Sequence, residues 1–229
     1  MLKKWSELPN FMKNEEVKKY YDILEKKKGQ LFLKRLFDIV LAIVLIVILS
    51  PLILVLAIVI KLTSEGPVFF RQTRVTQYGR RFRIFKFRTM VVNAEKIGTQ
   101  VTVGDDPRIT KIGRLIRKTR LDEIPQLINV LQGDMSFVGT RPEVPKYVKE
   151  YKPEMLATLL MVAGITSKAS IMFKDEDEIL GKFNENIDKV YIENVLSKKM
   201  YYNINYIENF TFIEDYKIML KTAIEVFIR

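Results

Sequence analysis

IVLAIVLIVILSPLILVLAIVI, residues 39–60, decides the fold. It holds no charge in 22 residues and lies between Asp38 and Lys61. As a helix it would be roughly 33 Å long, enough to cross a bilayer core. Ser50-Pro51 stands at its middle. Pro51 removes a backbone donor and clashes with the carbonyl four residues back. In lipid that freed carbonyl needs a partner, and the Ser50 hydroxyl is close enough to serve. A break here leaves legs of roughly 18 and 15 Å, each reaching halfway through the core.

Charge bears on the same question. Lys26, Lys27, Lys28, Lys34 and Arg35 precede the run. Lys61, Arg71, Arg74, Arg80, Arg81, Arg83, Lys86 and Arg88 follow it, against Glu65 alone. Positive flanks stay cytoplasmic, and here both are positive. A helix that dips in, bends at Ser50-Pro51 and returns satisfies both observations. A Pro-kinked spanning helix is the alternative.

At 229 residues the chain fits one main domain plus an anchor. A net charge of +11 suits nucleic acid, anionic lipid or an anionic substrate. The apolar run favours lipid over nucleic acid. There is no cysteine and no histidine. That removes disulfides, thiol nucleophiles, Ser-His-Asp triads and His-ligated zinc. Catalysis must use carboxylates, Lys, Arg, Tyr, Ser or Thr, and a metal would be a hard cation on oxygen ligands. The apolar run starts too late for a cleavable signal.

Before the run, residues 14–28 carry Val17, Tyr20, Tyr21 and Leu24 at helical spacing, with Asn14 as N-cap and Gly29 as terminator. This amphipathic helix would lie on the membrane or on the main domain. After the run, residues 68–75 and 81–90 read as strands joined around Tyr78-Gly79. Phe85 and Phe87 face one way, Lys86 and Arg88 the other. Those two cations are either a solvated strand face or a cationic floor for phosphate.

Residues 93–102 read as a loop. Asp105-Asp106-Pro107 reads as a turn opening a helix over residues 107–118, with Asp106 as cap. Its Lys111, Arg114, Arg117 and Lys118 oppose Ile109, Ile112, Leu115 and Ile116, a pattern suited to the headgroup level. TRLDEIPQLINVLQGD follows: Pro125 in the first turn, Gly133 as C-terminal cap, and Asp122 and Glu123 at the start of a helix of about ten residues. An ordinary N-cap accounts for an isolated Asp122. SFVGTRPEVP, residues 136–145, is a Gly/Pro-shaped loop holding Arg141, which is a binding residue or surface decoration. Residues 155–172 are apolar around Gly164. Residues 174–178 read as a charged helix start that lacks the spacing of a calcium loop. A final helix over residues 212–228 sets Ile213, Tyr216, Leu220, Ala223 and Phe227 on one face.

KRLFDIV, the Ser-Pro-broken run, GPVFFRQTRV, FKFRTM, DPRITKIGRLIRKTRLDEIPQLINVLQGDMSFVGTRPE and GIT at residues 164–166 occur in one order. Together they resemble the bacterial sugar transferases called monotopic phosphoglycosyl transferases, from about Lys34 to the C-terminus. Thr76 and Thr140 stand where that family often has Gly and Pro. The resemblance implies a mainly helical α+β fold. It consists of a re-entrant membrane helix hairpin plus a cytoplasmic catalytic domain with a small β-hairpin and amphipathic interfacial helices. Residues 1–30 would be an N-terminal extension, 31–62 the membrane helix and 63–229 the catalytic domain.

The resemblance further implies a UDP-sugar donor, a polyprenyl phosphate acceptor and Mg²⁺, with Mn²⁺ as a substitute. It implies the cytoplasmic face of the bacterial inner membrane with its anionic leaflet, and no nucleic acid. It leaves a homodimer open. Asp122 and Glu123 become the catalytic dyad and the metal carboxylates. Ser50 and Pro51 become the helix-breaking pair. Arg141 and Pro142 fall near the donor phosphates or base, and Lys86, Arg88 and Arg117 supply further positive charge. Asp122 would attack the sugar-bearing phosphorus, or the transfer would be direct in a ternary complex. A catalytically silent basic membrane scaffold is the reading from another class.

Overall fold

A computed structural model describes residues 2–94, 106–173, 176, 180 and 187–227. The expected loop at 93–102 beyond Ala94, Asp105, and most of the acidic stretch at 174–178 lie outside the described residues. The chain opens with helix α1, Glu15–Glu25, capped by the Asn14 side chain on the Val17 amide at 2.9 Å. Val17, Tyr20, Tyr21 and Leu24 are buried, as their spacing requires. They pack with Val138, Leu160, Ile207 and Phe210 in one core. Helix α1 therefore lies on the main domain. Gly29 does not end it. The chain turns at Lys26-Lys27, and Gly29 sits in the first turn of α2.

Helix α2 runs Lys28–Thr63 without interruption through Pro51. The separation into two legs expected at Ser50-Pro51 is not seen as a gap in the helix. The local reason is the Ser50 hydroxyl, which donates to the Val47 carbonyl at 2.8 Å. Val47 is the residue whose carbonyl Pro51 deprives of a donor. By length and composition α2 could cross a membrane, and only 11% of its most apolar window is buried.

One stripe of α2 nevertheless follows the domain. Lys34, Asp38, Ala42, Leu56 and Ile60 are buried along it. Ala42 packs with Phe82, Ile84, Val130 and Met135, and Ile60 with Phe87 and Ile116. Phe32, Leu36, Val40, Val47, Leu54 and Ile58 face outward.

Strands β1, Phe69–Val75, and β2, Arg81–Phe87, form the expected antiparallel hairpin, with Phe70 opposite Lys86 and Arg74 opposite Phe82. Tyr78 and Gly79 both take positive φ at its tip. At Gly79 the φ of 75° is a conformation that L side chains rarely adopt, so glycine suits the tip. Helix α3, Lys111–Lys118, starts four residues later than its sequence suggests. Ile109 is held extended by a bridge to Met90, and Thr110 becomes the cap, accepting from Gly113 N. The Asp106 carboxylate instead accepts from the amide and guanidinium of Arg108.

A 3-10 turn, Leu121–Glu123, leads into helix α4, Gln126–Gln132, which ends at Gly133 with φ of 80°. Strand β3, Met135–Val138, pairs in parallel with β4, Ala163–Thr166. The stretch 155–172 had shown only as apolar. It holds the end of a 3-10 helix, Pro153–Leu160, then β4 and a short helix. Gly139 and Gly164 let the two backbones meet: a Cβ on Gly164 would fall 2.1 Å from the Gly139 nitrogen. Helices α5, Pro145–Val148; α6, Lys168–Met172; α7, Ile187–Val190; α8, Ser197–Glu208; and α9, Phe212–Phe227, complete the domain. On α9, Ile213, Tyr216, Leu220 and Ile224 are exposed while Asp215 and Ile218 are buried. The apolar face expected there points outward. The side chain of Phe227 lies outside the described residues.

The N-terminal flank of the apolar run is bolted to this domain. Lys34 meets Asp215 at 2.5 Å, both buried. Arg35 donates to the Val130 and Leu131 carbonyls, and Asp38 accepts from Phe137 N at 3.2 Å. Tyr206 donates to the other Asp215 oxygen at 2.6 Å. Removing one partner of a buried pair leaves the other charge uncompensated, at about 3–5 kcal/mol. Lys34→Met should therefore lower the thermal midpoint in detergent sharply. Adding Asp215→Leu should recover most of the loss. Additive losses in the double variant would mean that the pair is not coupled.

Candidate active site

The 3-10 turn Leu121–Glu123 follows Arg120, which takes a left-handed conformation with φ of 54°. That reversal turns two neighbouring carboxylates toward the hairpin. Lys86 on β2 donates to Glu123 Oε1 at 2.8 Å and approaches Asp122 Oδ2 at 3.5 Å. Arg141 reaches Glu123 with both terminal nitrogens, Nη1 to Oε2 at 3.2 Å and Nη2 to Oε1, and also touches the Ile165 carbonyl. Arg120 holds the cap position of this turn and Asp122 lies inside it, so the ordinary N-cap account of Asp122 does not hold.

Asn129 sets this register. It is fully buried on α4, donates to the Arg83 carbonyl and accepts from Phe85 N at 2.8 Å. Those bonds fix β2 against α4, so Lys86 falls beside the carboxylates. Arg74 supports the other side. Its guanidinium donates to the Pro142 carbonyl at 3.2 Å and to Gln72 Oε1, and so steadies the loop that carries Arg141. Sequence reading assigned no role to Asn129 or Arg74. Asn129 looks like any helix residue, and the Arg74 contact spans 68 positions.

The remaining candidates separate. Arg117, in the last turn of α3, is near enough for its charge to favour the ionised form of both Asp106, which Arg108 chiefly holds down, and Asp122, which burial still pushes up. Arg88 lies away from the carboxylates. It donates to the carbonyl and hydroxyl of Ser64, just past the end of α2, at 2.7 and 2.8 Å. Ser50 and Pro51 sit on the exposed face of α2.

The two carboxylates are not equivalent. Burial pushes both upward. At Glu123 the adjacent Arg141 and Lys86 outweigh burial and hold it well below the usual range. At Asp122 the more distant Lys86 does not outweigh burial, the Glu123 charge adds to it, and its pKa stays raised. Glu123 is thus an anchored anion. Asp122 is the more basic and less committed carboxylate.

A cavity of about 300 Å³ opens beside Glu123 and Arg141. Lys118 and Arg120 line it with them, and Leu45 and Leu49 of α2 form part of its wall. Among the described residues no group of three or more His, Cys, Asp or Glu gathers around a point. Two adjacent carboxylates with no softer ligand would suit a hard cation with oxygen ligands.

This arrangement can be set beside known proteins. The chain is 38% identical over 194 residues to the UDP-N-acetylgalactosamine-undecaprenyl-phosphate N-acetylgalactosaminephosphotransferase of Aeromonas hydrophila, covering 83% of this chain and 43% of that protein. It is 37% identical over 201 residues to the UDP-glucose:undecaprenyl-phosphate glucose-1-phosphate transferase of Escherichia coli (strain K12), covering 86% of this chain and 40% of that protein. It therefore spans about two fifths of the length of these two relatives. It is also 36% identical over 200 residues to the uncharacterized sugar transferase EpsL of Bacillus subtilis (strain 168), covering 86% of this chain and 89% of that protein. The family described as bacterial sugar transferase matches residues 29–229, from the first turn of α2 through the whole of the site, and the chain belongs to that family.

Proposed function

We propose that the protein transfers a sugar 1-phosphate from a UDP-sugar to polyprenyl phosphate and releases UMP. One observation carries this reading. A basic, partly uncompensated Asp122 stands beside a Glu123 clamped by Lys86 and Arg141, at a cavity walled by the apolar helix. The names of the relatives agree with it.

Donor and acceptor are both anions. Each unit-charge pair at 4 Å costs about 4 kcal/mol at an effective dielectric near 20. Lys86, Arg117 and Arg141 offset that repulsion. Asp122 and Glu123 would hold Mg²⁺ or Mn²⁺, which supplies further charge neutralisation at the phosphates when bound. In the first half-reaction an Asp122 oxygen bonds to the sugar-bearing phosphorus. The bond from that phosphorus to the bridging oxygen breaks, and UMP leaves with the electron pair. In the second, an oxygen of the lipid phosphate attacks the same phosphorus, and the Asp122 carboxylate is released unchanged. Direct attack in a ternary complex is the competing order, with Asp122 as metal ligand or base.

The membrane reading is a monotopic protein on the cytoplasmic face of the inner membrane, with α2 re-entering the leaflet from which it came. Support comes from the shared core: Val17, Tyr20 and Leu24 before α2 pack with Val138, Leu160 and Phe210 after it. A spanning helix would have to pull these apart. The exposed apolar residues of α2 and α9 would meet lipid, and the two helices adjoin through Phe37 and Phe212 at 5.5 Å.

Two results are expected. Purified protein with undecaprenyl phosphate and a panel of UDP-sugars should release UMP from at least one donor. EDTA should abolish this release, and Mg²⁺ or Mn²⁺ should restore it. Activity undiminished in metal-free buffer would remove the metal role of Asp122 and Glu123. For topology, the chain has no native cysteine. Single cysteines at Asn10 and Tyr201 should both resist an impermeant thiol reagent on intact cells and both react after lysis. Labelling of only one on intact cells would establish a spanning helix.

A further inference from the structure

A second buried set of polar groups lies two residues beyond Arg141. Glu143, Tyr191 and Lys199 are each at most 6% exposed. The Tyr191 hydroxyl donates to Glu143 Oε1 at 2.6 Å. Lys199 donates to the same oxygen at 3.4 Å, to Glu176 Oε2 at 3.0 Å and to the Tyr191 hydroxyl at 3.0 Å, one bond for each ammonium proton. Burial pushes the Glu143 carboxyl up, but Lys199, Tyr191 and Arg74 outweigh it and hold it below the usual range. The backbone is fixed as well. Val75 N donates to the Glu143 carbonyl at 3.0 Å, as Arg74 does to the Pro142 carbonyl at 3.2 Å.

Tyr191 and Lys199 stand 48 and 56 positions beyond Glu143. They reach one carboxylate because of the helix they share. Between α7 and α8, Tyr191–Leu196 forms a π-helical turn. In a regular α-helix, residues eight apart diverge by roughly 80° around the axis. The wider turn reduces that divergence. Such turns are rare and are frequent at functional sites. An apolar set of similar volume is often as stable as a buried ion pair, so stability alone does not account for this one. What it holds is the place of a loop. Only Pro142, with its fixed φ, separates Glu143 from Arg141.

We propose that Tyr191 and Lys199 are positioning residues for Arg141. Through Glu143 they fix the loop that presents the Arg141 guanidinium to Glu123. The inference rests on the transfer reading and adds a control of Arg141 from a distant helix.

The test compares Tyr191→Phe, Lys199→Met and Lys199→Arg in the full chain. Hydrogen exchange at residues 139–144 reads the loop without substrate. Tyr191→Phe keeps the ring that packs on Tyr147 at 4.6 Å and removes only the hydroxyl, so it guards against a variant that fails to fold. Tyr191→Phe and Lys199→Met should each speed exchange in the loop about tenfold and leave α1 unchanged. UMP release at saturating UDP-sugar and lipid phosphate reads Arg141. Both variants should lower kcat about tenfold, the scale of one lost hydrogen bond to a charged group, and Lys199→Arg should recover part of it. In an Arg141→Ala background the same changes should cost less than about twofold, because the residue they position is gone. Unchanged kcat in both variants, or a tenfold loss that persists in Arg141→Ala, would overturn the assignment. Faster loop exchange in variants of a protein that releases UMP from no donor would keep the anchor and refute the transfer reading instead.

Discussion

Asp122→Asn should reduce turnover by about 10³-fold or more and leave the fold intact. The change removes a nucleophilic oxygen while keeping shape and volume. Stability gives an independent check. Burial raises the Asp122 pKa, so its charged form is disfavoured in the folded state. A raised carboxyl pKa contributes stability that is fully present below the unfolded value, near 3.8, and lost as pH rises through the folded value. At neutral pH the wild-type charge is therefore a cost. Asp122→Asn should melt at the same temperature or higher at pH 7, and the difference should vanish in acid. Lost activity with raised stability marks a functional residue held against folding preference. Lost activity with collapsed stability would instead make Asp122 structural.

The second large effect is expected at Arg141. Its guanidinium engages both oxygens of Glu123, a geometry that lysine cannot reproduce. Under the proposed transfer it would also provide charge beside the transferred phosphoryl group. Arg141→Lys and Arg141→Ala should each lower kcat/KM about 10²–10³-fold, with little recovery in the lysine variant. The anchored anion at Glu123 then loses its main partner, so its pKa should rise toward the ordinary range. Near-complete activity in Arg141→Lys would show that only net charge matters there.

Much of this layout is written in local sequence signals. Asn14 before an amphipathic run gives a capped helix, Tyr78-Gly79 gives a hairpin tip, and Gly133 gives a left-handed helix end. Each acts within a few residues, and each appears where its chemistry requires. The Ser50 hydroxyl takes up the Val47 carbonyl for the same reason. Signals that depend on distant contacts are not legible. The four-residue strands β3 and β4 form only because Gly139 and Gly164 let separate backbones touch. Helix α3 starts late because Met90 pairs with Ile109, a contact that no local rule contains. The carboxylate pair was visible as a motif. Its asymmetry was not, because it comes from Lys86 sitting 2.8 Å from Glu123 and 3.5 Å from Asp122. Arg74 and Asn129 work the same way, through partners far away in sequence.

The measurement closest to the central claim uses wild-type protein and UDP-sugar with no lipid acceptor. A carboxylate nucleophile separates the reaction into two halves. UMP should appear in a burst of up to one equivalent per active site. The protein should gain the mass of one sugar phosphate, labile to hydroxylamine, on the peptide containing Asp122. Added polyprenyl phosphate should discharge it. No lipid-free UMP, no adduct and ternary-complex kinetics in a protein that turns over fully with lipid would contradict the account and assign the reaction to direct transfer.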